Sequence, residues 1–274
     1  METEVLSTPS RSRIAQTLIG SNWKMNKTNR EAREFTAGLL RRMETISGIE
    51  RVQLLLAPAY TALEAVKELA GEKIWIGAQN MHWADHGPYT GEISAPMLKE
   101  LELDFVELGH AERRRYFGET DEEVNRKVVA ALAFGLKPLI CVGESLEQRD
   151  SAAGCEIVAC QAAMALKGVS GIDSDKIMIA YEPWWSINEE SGAADPGYVK
   201  TIRIAITAAL EGVFAQGAAQ SIPVIYGGDV NPNNAGDLLA SGGIDGLFVG
   251  RAAWQLEGLV EVIRIAAREA FAIK

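Results

Sequence analysis

The chain has 274 residues, 47% hydrophobic and 23% charged, which is enough apolar material for one large α/β domain or two small ones. Its 27 Lys+Arg against 37 Asp+Glu give a formal net charge of -10, which argues against a general nucleic-acid or anionic-membrane surface and leaves any anionic ligand to a local site. No apolar run has the length of a membrane span and three cysteines are too few for a disulfide framework, so a cytoplasmic protein is expected.

Met1 to Gln16 reads as a polar tail, with Ser and Arg but without the hydrophobic segment of a secretory signal. TLIGSNWKMN (17–26) then reads as a short strand running into a polar turn, with Asn22 and Lys24 just past its end, and Thr28 to Ile46 has helical spacing. RVQLLLAP (51–58) is a second buried strand, followed by a helix from Tyr60 to Leu69 that Gly71 stops. KIWIGAQN (73–80) is a third, and the polar loop after it, MHWADHGPYTGEIS, is long for a compact α/β unit, which predicts a function for it.

LDFVELGH (103–110) is the fourth strand, ending on His110. Thr120 and Glu123 form a capping box, and Val124, Val128, Val129 and Leu132 predict one apolar helical face up to Gly135. LKPLICVG (136–143) is the fifth strand, with Cys141 as a buried thiol, and Asp150 to Leu166 its helix. MIAYEPWW (178–185) is the sixth: an apolar run that ends in a carboxylate and is forced out of regular structure by Pro183. A helix from about Pro196 to Phe214, the strand IPVIYGGDV (222–230), a short helix from Pro232 to Leu239, the strand IDGLFVGR (244–251) and a helix from Trp254 to Ala270 complete the chain.

Eight alternations of apolar strand and helix predict parallel strands covered on both faces. One closed (β/α)8 barrel over residues 17–274 fits the count and the length; an open doubly wound sheet is the competitor, but no dinucleotide-type glycine fingerprint follows the first strand. In such a barrel the residues just after the strands converge, which puts Asn22 and Lys24, His110 and Glu182 around one mouth. Singly, Lys24 reads as a solvated lysine, whereas His110 is as readily a satisfied loop histidine as a working group and Glu182 as readily a rim ion pair. Together, a carboxylate, an imidazole and an ammonium are what proton shuttling beside a carbonyl needs, with no metal or organic cofactor required. His82 and His86, with Asp85 between them, lack an evident third ligand for a metal. Gly227, Gly228 and Gly250, after the last two strands, stand where backbone N–H groups meet a phosphate in this kind of barrel.

The motifs NWKMN (22–26), GAQN (77–80), YTGE (89–92), ELGHAERR (107–114), AYEP (180–183), YGGDVNPNNA (226–235) and DGLFVGR (245–251) resemble the triosephosphate isomerase family in order and spacing, from about Leu18 to the end of the chain. The resemblance implies a TIM barrel that moves a carbonyl through an enediol in a small sugar phosphate. It makes Glu182 the base, His110 a neutral proton donor and Lys24 an electrostatic stabiliser, with Asn22 and Glu112 in support. It implies a lid from Pro183 to Gly192, with Asn188 among the substrate-binding positions, and a phosphate held near Gly228, Asp229, Gly250 and Arg251. The loop around Tyr89, Thr90 and Gly91 is similar to the arm that the family inserts into a second subunit, implying a homodimer.

Departures from the family pattern lie on the phosphate side. Asp229 replaces a serine, Arg251 a glycine and Ala111 a serine, and the lid reads WWSINEES (184–191). The tracts QNMHWADHGPYTGEIS (79–94) and DGLFVGRAAWQLEGL (245–259) resemble the branch of the family that acts on four-carbon ketose phosphates, interconverting L-erythrulose 1-phosphate and D-erythrulose 4-phosphate. Two expectations follow: an isomerase with a three- or four-carbon substrate or, alternatively, a binding or regulatory barrel that has kept the catalytic residues but altered its phosphate side.

Overall fold

The computed structural model describes residues 16–187, 192–214 and 217–272, so the expected tail lies outside the described residues except for Gln16. Eight short strands are laid down in sequence: β1 (Thr17–Asn22), β2 (Val52–Ala57), β3 (Trp75–Ala78), β4 (Phe105–Leu108), β5 (Lys137–Val142), β6 (Met178–Tyr181), β7 (Val224–Tyr226) and β8 (Gly246–Phe248). Each pairs in parallel with the next, and β8 returns to β1 through Leu18–Gly246, Ile19–Leu247 and Gly20–Phe248, so the sheet closes on itself. The closed barrel is therefore the observed fold, and the open sheet is not.

Helices of very different length connect the strands: α1 (Asn29–Met43), α2 (Leu63–Ala70), α3 (Ala95–Glu100), α4 (Ala111–Phe117), α5 (Asp121–Ala133), α6 (Leu146–Asp150), α7 (Gly154–Ala165), α8 (Trp184–Ile187), α9 (Pro196–Glu211), α10 (Ala218–Ser221), α11 (Ala235–Ser241) and α12 (Leu256–Ala272). Capping fixes several starts. Thr28 with Glu31 opens α1 and Thr120 with Glu123 opens α5 as reciprocal boxes, while Asp195 accepts from the first turn of α9 ahead of Pro196.

Two helical expectations need correction. The helix expected from Asp150 to Leu166 is two pieces, because a Ser145–Gln148 capping box starts α6 earlier and the chain then turns through Ala152 at φ 60 before α7 begins. Val129 does not belong to the buried face of α5: it is 46% exposed, while Val124, Val128 and Ala131 are buried. The spacing of those three follows the helical repeat, and Val129, one residue past Val128, is turned about 100° away.

The period-two alternation of the strands splits the core in two. One set of side chains, including Leu18, Leu55, Phe105, Leu139, Met178, Ile225 and Phe248, fills the barrel interior, and the other packs outward against the helices. Gly20 has no room for a side chain, since a Cβ there would lie 2.2 Å from the Phe248 ring. The interior is thus solid below the mouth, and only the top, where the parity of β1, β4, β5 and β6 brings in Asn22, Glu107, Cys141 and Glu182, turns polar. No described helix is long and apolar enough to cross a membrane.

Candidate active site

Glu182 follows β6 directly and is 2% exposed. Its backbone N–H donates to Val142 at 2.7 Å, which continues the barrel pairing one residue further and aims the side chain into the mouth. Across from it stands Gly227, where a Cβ would come within 2.8 Å of Glu182 Cγ, so the carboxylate occupies space that any other residue at 227 would fill. Burial raises the Glu182 carboxyl to about 7, with Lys24 and the Cys141 thiol opposing the shift. Its Oε2 has no hydrogen-bond partner among the described residues.

His110 caps α4 and is 4% exposed. Its Nδ1 accepts the Glu112 backbone N–H at 3.1 Å, so in the neutral ring the proton sits on Nε2, which lies 3.5 Å from Glu182 Oε2. Burial first, then the charges of Lys24 and Arg113, hold this imidazole well below its usual range. A neutral ring with Nε2–H aimed at the mouth is a hydrogen-bond donor, not a cation.

Lys24 adopts φ 52, a left-handed conformation for a residue with a side chain. Asn22 stabilises that turn, because its Oδ1 accepts the Lys24 backbone N–H at 2.5 Å. The Lys24 ammonium reaches Glu112 Oε1 at 2.6 Å, so Glu112 fixes the cation at the rim while its own backbone N–H fixes the imidazole. Asn22, Lys24, His110, Glu112 and Glu182, which lie far apart in the chain, therefore line one cavity.

The opposite wall comes from the loops after β7 and β8. Gly228 and Asp229 line it from one, Gly250 and Arg251 from the other. Arg251 donates from Nη2 to Asp229 Oδ1 at 3.1 Å and from Nη1 to the Ile187 carbonyl at 2.9 Å. Two of the departures from the family pattern, Asp229 and Arg251, thus form an ion pair, and the same guanidinium ties them to the start of the segment after β6. That segment is held at both described ends. Ser186 Oγ accepts the Asp229 N–H at 2.9 Å and lies 3.1 Å from Tyr226 OH, which in turn accepts the Ala194 N–H at 3.0 Å. Asn188, expected in the site, lies outside the described residues, as does the segment 188–191 around it.

Several site residues escape a reading of the sequence. Tyr116, Trp184, Phe248 and Trp254 add apolar wall to the cavity. Glu107, fully buried, receives a 2.7 Å hydrogen bond from Asn22 Nδ2 and lies next to Cys141. Its signal was present as an acid in the apolar run FVEL, three residues before His110. Glu144 accepts from Tyr181, Trp185 and Tyr198 at 2.9, 3.0 and 3.1 Å, anchoring the base of the segment after β6. His82 and His86 lie elsewhere: His82 accepts the Ala84 N–H, and His86 pairs with Asp85.

The cavity encloses about 240 Å³, below the roughly 300–1,000 Å³ of drug-sized sites. It therefore suits a small polar ligand, with one wall carrying a carboxyl, an imidazole and an ammonium, and the other carrying loop backbone and a guanidinium. A family model described as triosephosphate isomerase matches residues 17–266. L-erythrulose-1-phosphate isomerase of Rhizobium rhizogenes is 44% identical over 247 residues, covering 89% of this chain and 92% of its own. The enzyme of the same name from Brucella abortus is also 44% identical, over 89% and 94% of the two chains. Triosephosphate isomerase of Acetivibrio thermocellus is 42% identical, over 90% and 97%. With the barrel closed, the strand-end residues gathered and the match spanning nearly every described residue, the chain belongs to the triosephosphate isomerase family.

Proposed function

We propose that the protein is a cofactor-independent sugar-phosphate isomerase whose preferred substrate is a four-carbon ketose phosphate, interconverting L-erythrulose 1-phosphate and D-erythrulose 4-phosphate. What carries the reading is the facing pair Glu182 and His110, 3.5 Å apart in one buried mouth with Lys24 at its rim. The names of the relatives at 44% identity favour the tetrulose over the triose.

The chemistry follows from those groups. Glu182 takes a proton from the carbon beside the carbonyl, and the C–H electron pair forms the C=C bond of an enediol. The carbonyl π pair moves onto oxygen, which takes the Nε2 proton of His110. Lys24 offsets the negative charge that develops on that oxygen. The imidazole then recovers a proton from the neighbouring hydroxyl, and Glu182 returns its proton to the other carbon, so the carbonyl has moved by one position and both groups are reset. Residues 183–192 act as the lid, with Asn188 at the substrate, while the loop N–H groups near Gly228 and Gly250 and the Arg251 guanidinium take the phosphate. Turnover of L-erythrulose 1-phosphate in deuterated water, with deuterium entering at carbon, tests this; incorporation only with dihydroxyacetone phosphate would make the triose the substrate, and none with either would remove the enzymatic reading.

The pH dependence of kcat/KM follows from the raised Glu182. The base works ionised, so activity rises through about 7 and falls tenfold per pH unit well below it, while burial holds His110 well below its usual range. A profile still flat well below 7 would place the base elsewhere.

The reading includes a cytoplasmic homodimer, with residues 17–274 as one catalytic domain behind the polar tail. Support for the dimer comes from the exposed arm around Tyr89 and from Met25, which is 97% exposed immediately beside Lys24. Light scattering should find a dimer whose dissociation lowers activity, since covering Met25 would steady the Lys24 turn; a fully active monomer would contradict it.

A further inference from the structure

Glu107 takes no part in the proton transfers above, yet its position is not that of an ordinary buried acid. The parity of β4 points it inward, beneath the cavity, on the level of Asn22, Cys141 and Glu182. The ligand atoms of Glu107, Cys141 and Glu182 all lie within 4.8 Å of one another. Among the described residues no ammonium or guanidinium makes an ion pair with Glu107; the basic nitrogen near it is Nε2 of His110, at 4.0 Å, in a ring that burial disfavours as a cation. Oε2 accepts from Asn22 at 2.7 Å and Oε1 faces Cys141 Sγ at 3.6 Å. Two buried carboxyls this close, with no lysine or arginine ion-paired to either among the described residues, cannot both ionise cheaply.

We propose that Glu107 is a positioning residue of this site: carrying its proton, it holds Asn22 and through it the Lys24 turn from below, and leaves Glu182 as the ionised member of the two buried carboxyls. The inference rests on the isomerase reading and adds a residue to it. The path is continuous, since the Asn22 amide donates down to Glu107 and its oxygen accepts up from Lys24 N–H, so fixing one end of the amide fixes which atom faces the strained turn. Burial, then the Glu182 charge, raises the Glu107 carboxyl well above its usual range, opposed by Asn22, Lys24 and Cys141. The groups facing it from the packed strands are thus Lys24 past β1, His110 past β4, Cys141 on β5 and Glu182 past β6. A proton kept on Glu107 spares Glu182 a second negative charge at close range.

Three variants of the full chain test this. E107Q keeps the shape and neutrality of the protonated acid and should retain kcat/KM within about fivefold. E107L removes the acceptor for Asn22, and E107D withdraws it by one methylene; each should lose about 10–100-fold, the usual scale when the partner that orients an active-site group is removed. If E107L does not fold, E107D against E107Q carries the comparison. An infrared difference spectrum between wild type and E107Q, taken well above the range in which Glu182 titrates and without substrate, should show a protonated-carboxyl band in the wild type. That band is read independently of turnover, so wild type inactive on both sugar phosphates would defeat the isomerase reading while the spectrum still reports on Glu107. E107Q falling as far as E107D, E107D as active as wild type, or the absence of the band would each overturn the proposal.

Discussion

Glu182→Gln should lower kcat by about 10²–10⁴-fold with little change in KM, the scale on which a positioned general base acts. The amide keeps the length and planarity of the carboxylate, so the gap opposite Gly227 stays filled and the cavity keeps its outline. The thermal midpoint should hold or rise, because burial disfavours the charged carboxylate that the substitution removes. Steady-state kinetics, deuterium exchange from solvent and a melting curve together check it. A loss in kcat matched by a loss of folded protein would mean that Glu182 is structural. Retention of most exchange would move attention to Glu107, the other carboxyl at this level of the barrel.

Arg251→Gly should cost about 10²-fold in kcat/KM on a phosphate substrate, and Arg251→Gly with Asp229→Ser should recover most of it. Asp229 lines the wall where the phosphate is proposed to sit, and at an effective dielectric of about 20 a carboxylate about 5 Å from one unit of phosphate charge opposes it by about 3 kcal/mol. The pair is partly exposed, 40% for the Arg251 side chain and 30% for Asp229, so screening trims that figure. Arg251 offsets the carboxylate through its 3.1 Å contact and keeps further donors for a ligand. Asp229→Ser alone removes the repulsion and leaves the guanidinium, and should improve use of glyceraldehyde 3-phosphate. Strictly additive effects in the three variants would show that the two positions do not act on one anion.

The strand count, the closed barrel and the gathering of residues from β1, β4 and β6 were legible because each rests on a pattern: apolar runs between helical spacings, and polar residues placed just beyond them. The pairing of Asp229 with Arg251 could be named only as one of several options, since the residues are 22 apart and meet only when two loops do. Glu107 illustrates a different limit. A carboxylate within an apolar strand reads as an exception to the pattern, and its meaning appears only when the barrel closes and the inward parity of four strands brings it under Asn22. Val129 failed for the opposite reason: an apolar residue next to a buried face is counted into it unless the helical angle is followed residue by residue.

Lys24 carries a lesson about what natural selection can see in such a chain. A side chain held in the left-handed region costs of order 1–3 kcal/mol, and at φ 52 a glycine would sit there without that penalty. Any mutational drift toward greater stability therefore runs, at this position, straight into the loss of the only ammonium at the rim that meets Glu112 among the described residues. A lineage still under pressure for catalysis would keep the less comfortable residue, and a copy released from that pressure could relax here first. If Lys24 serves the isomerisation proposed above, position 24 is where retained and abandoned enzymes with this barrel should first differ in sequence.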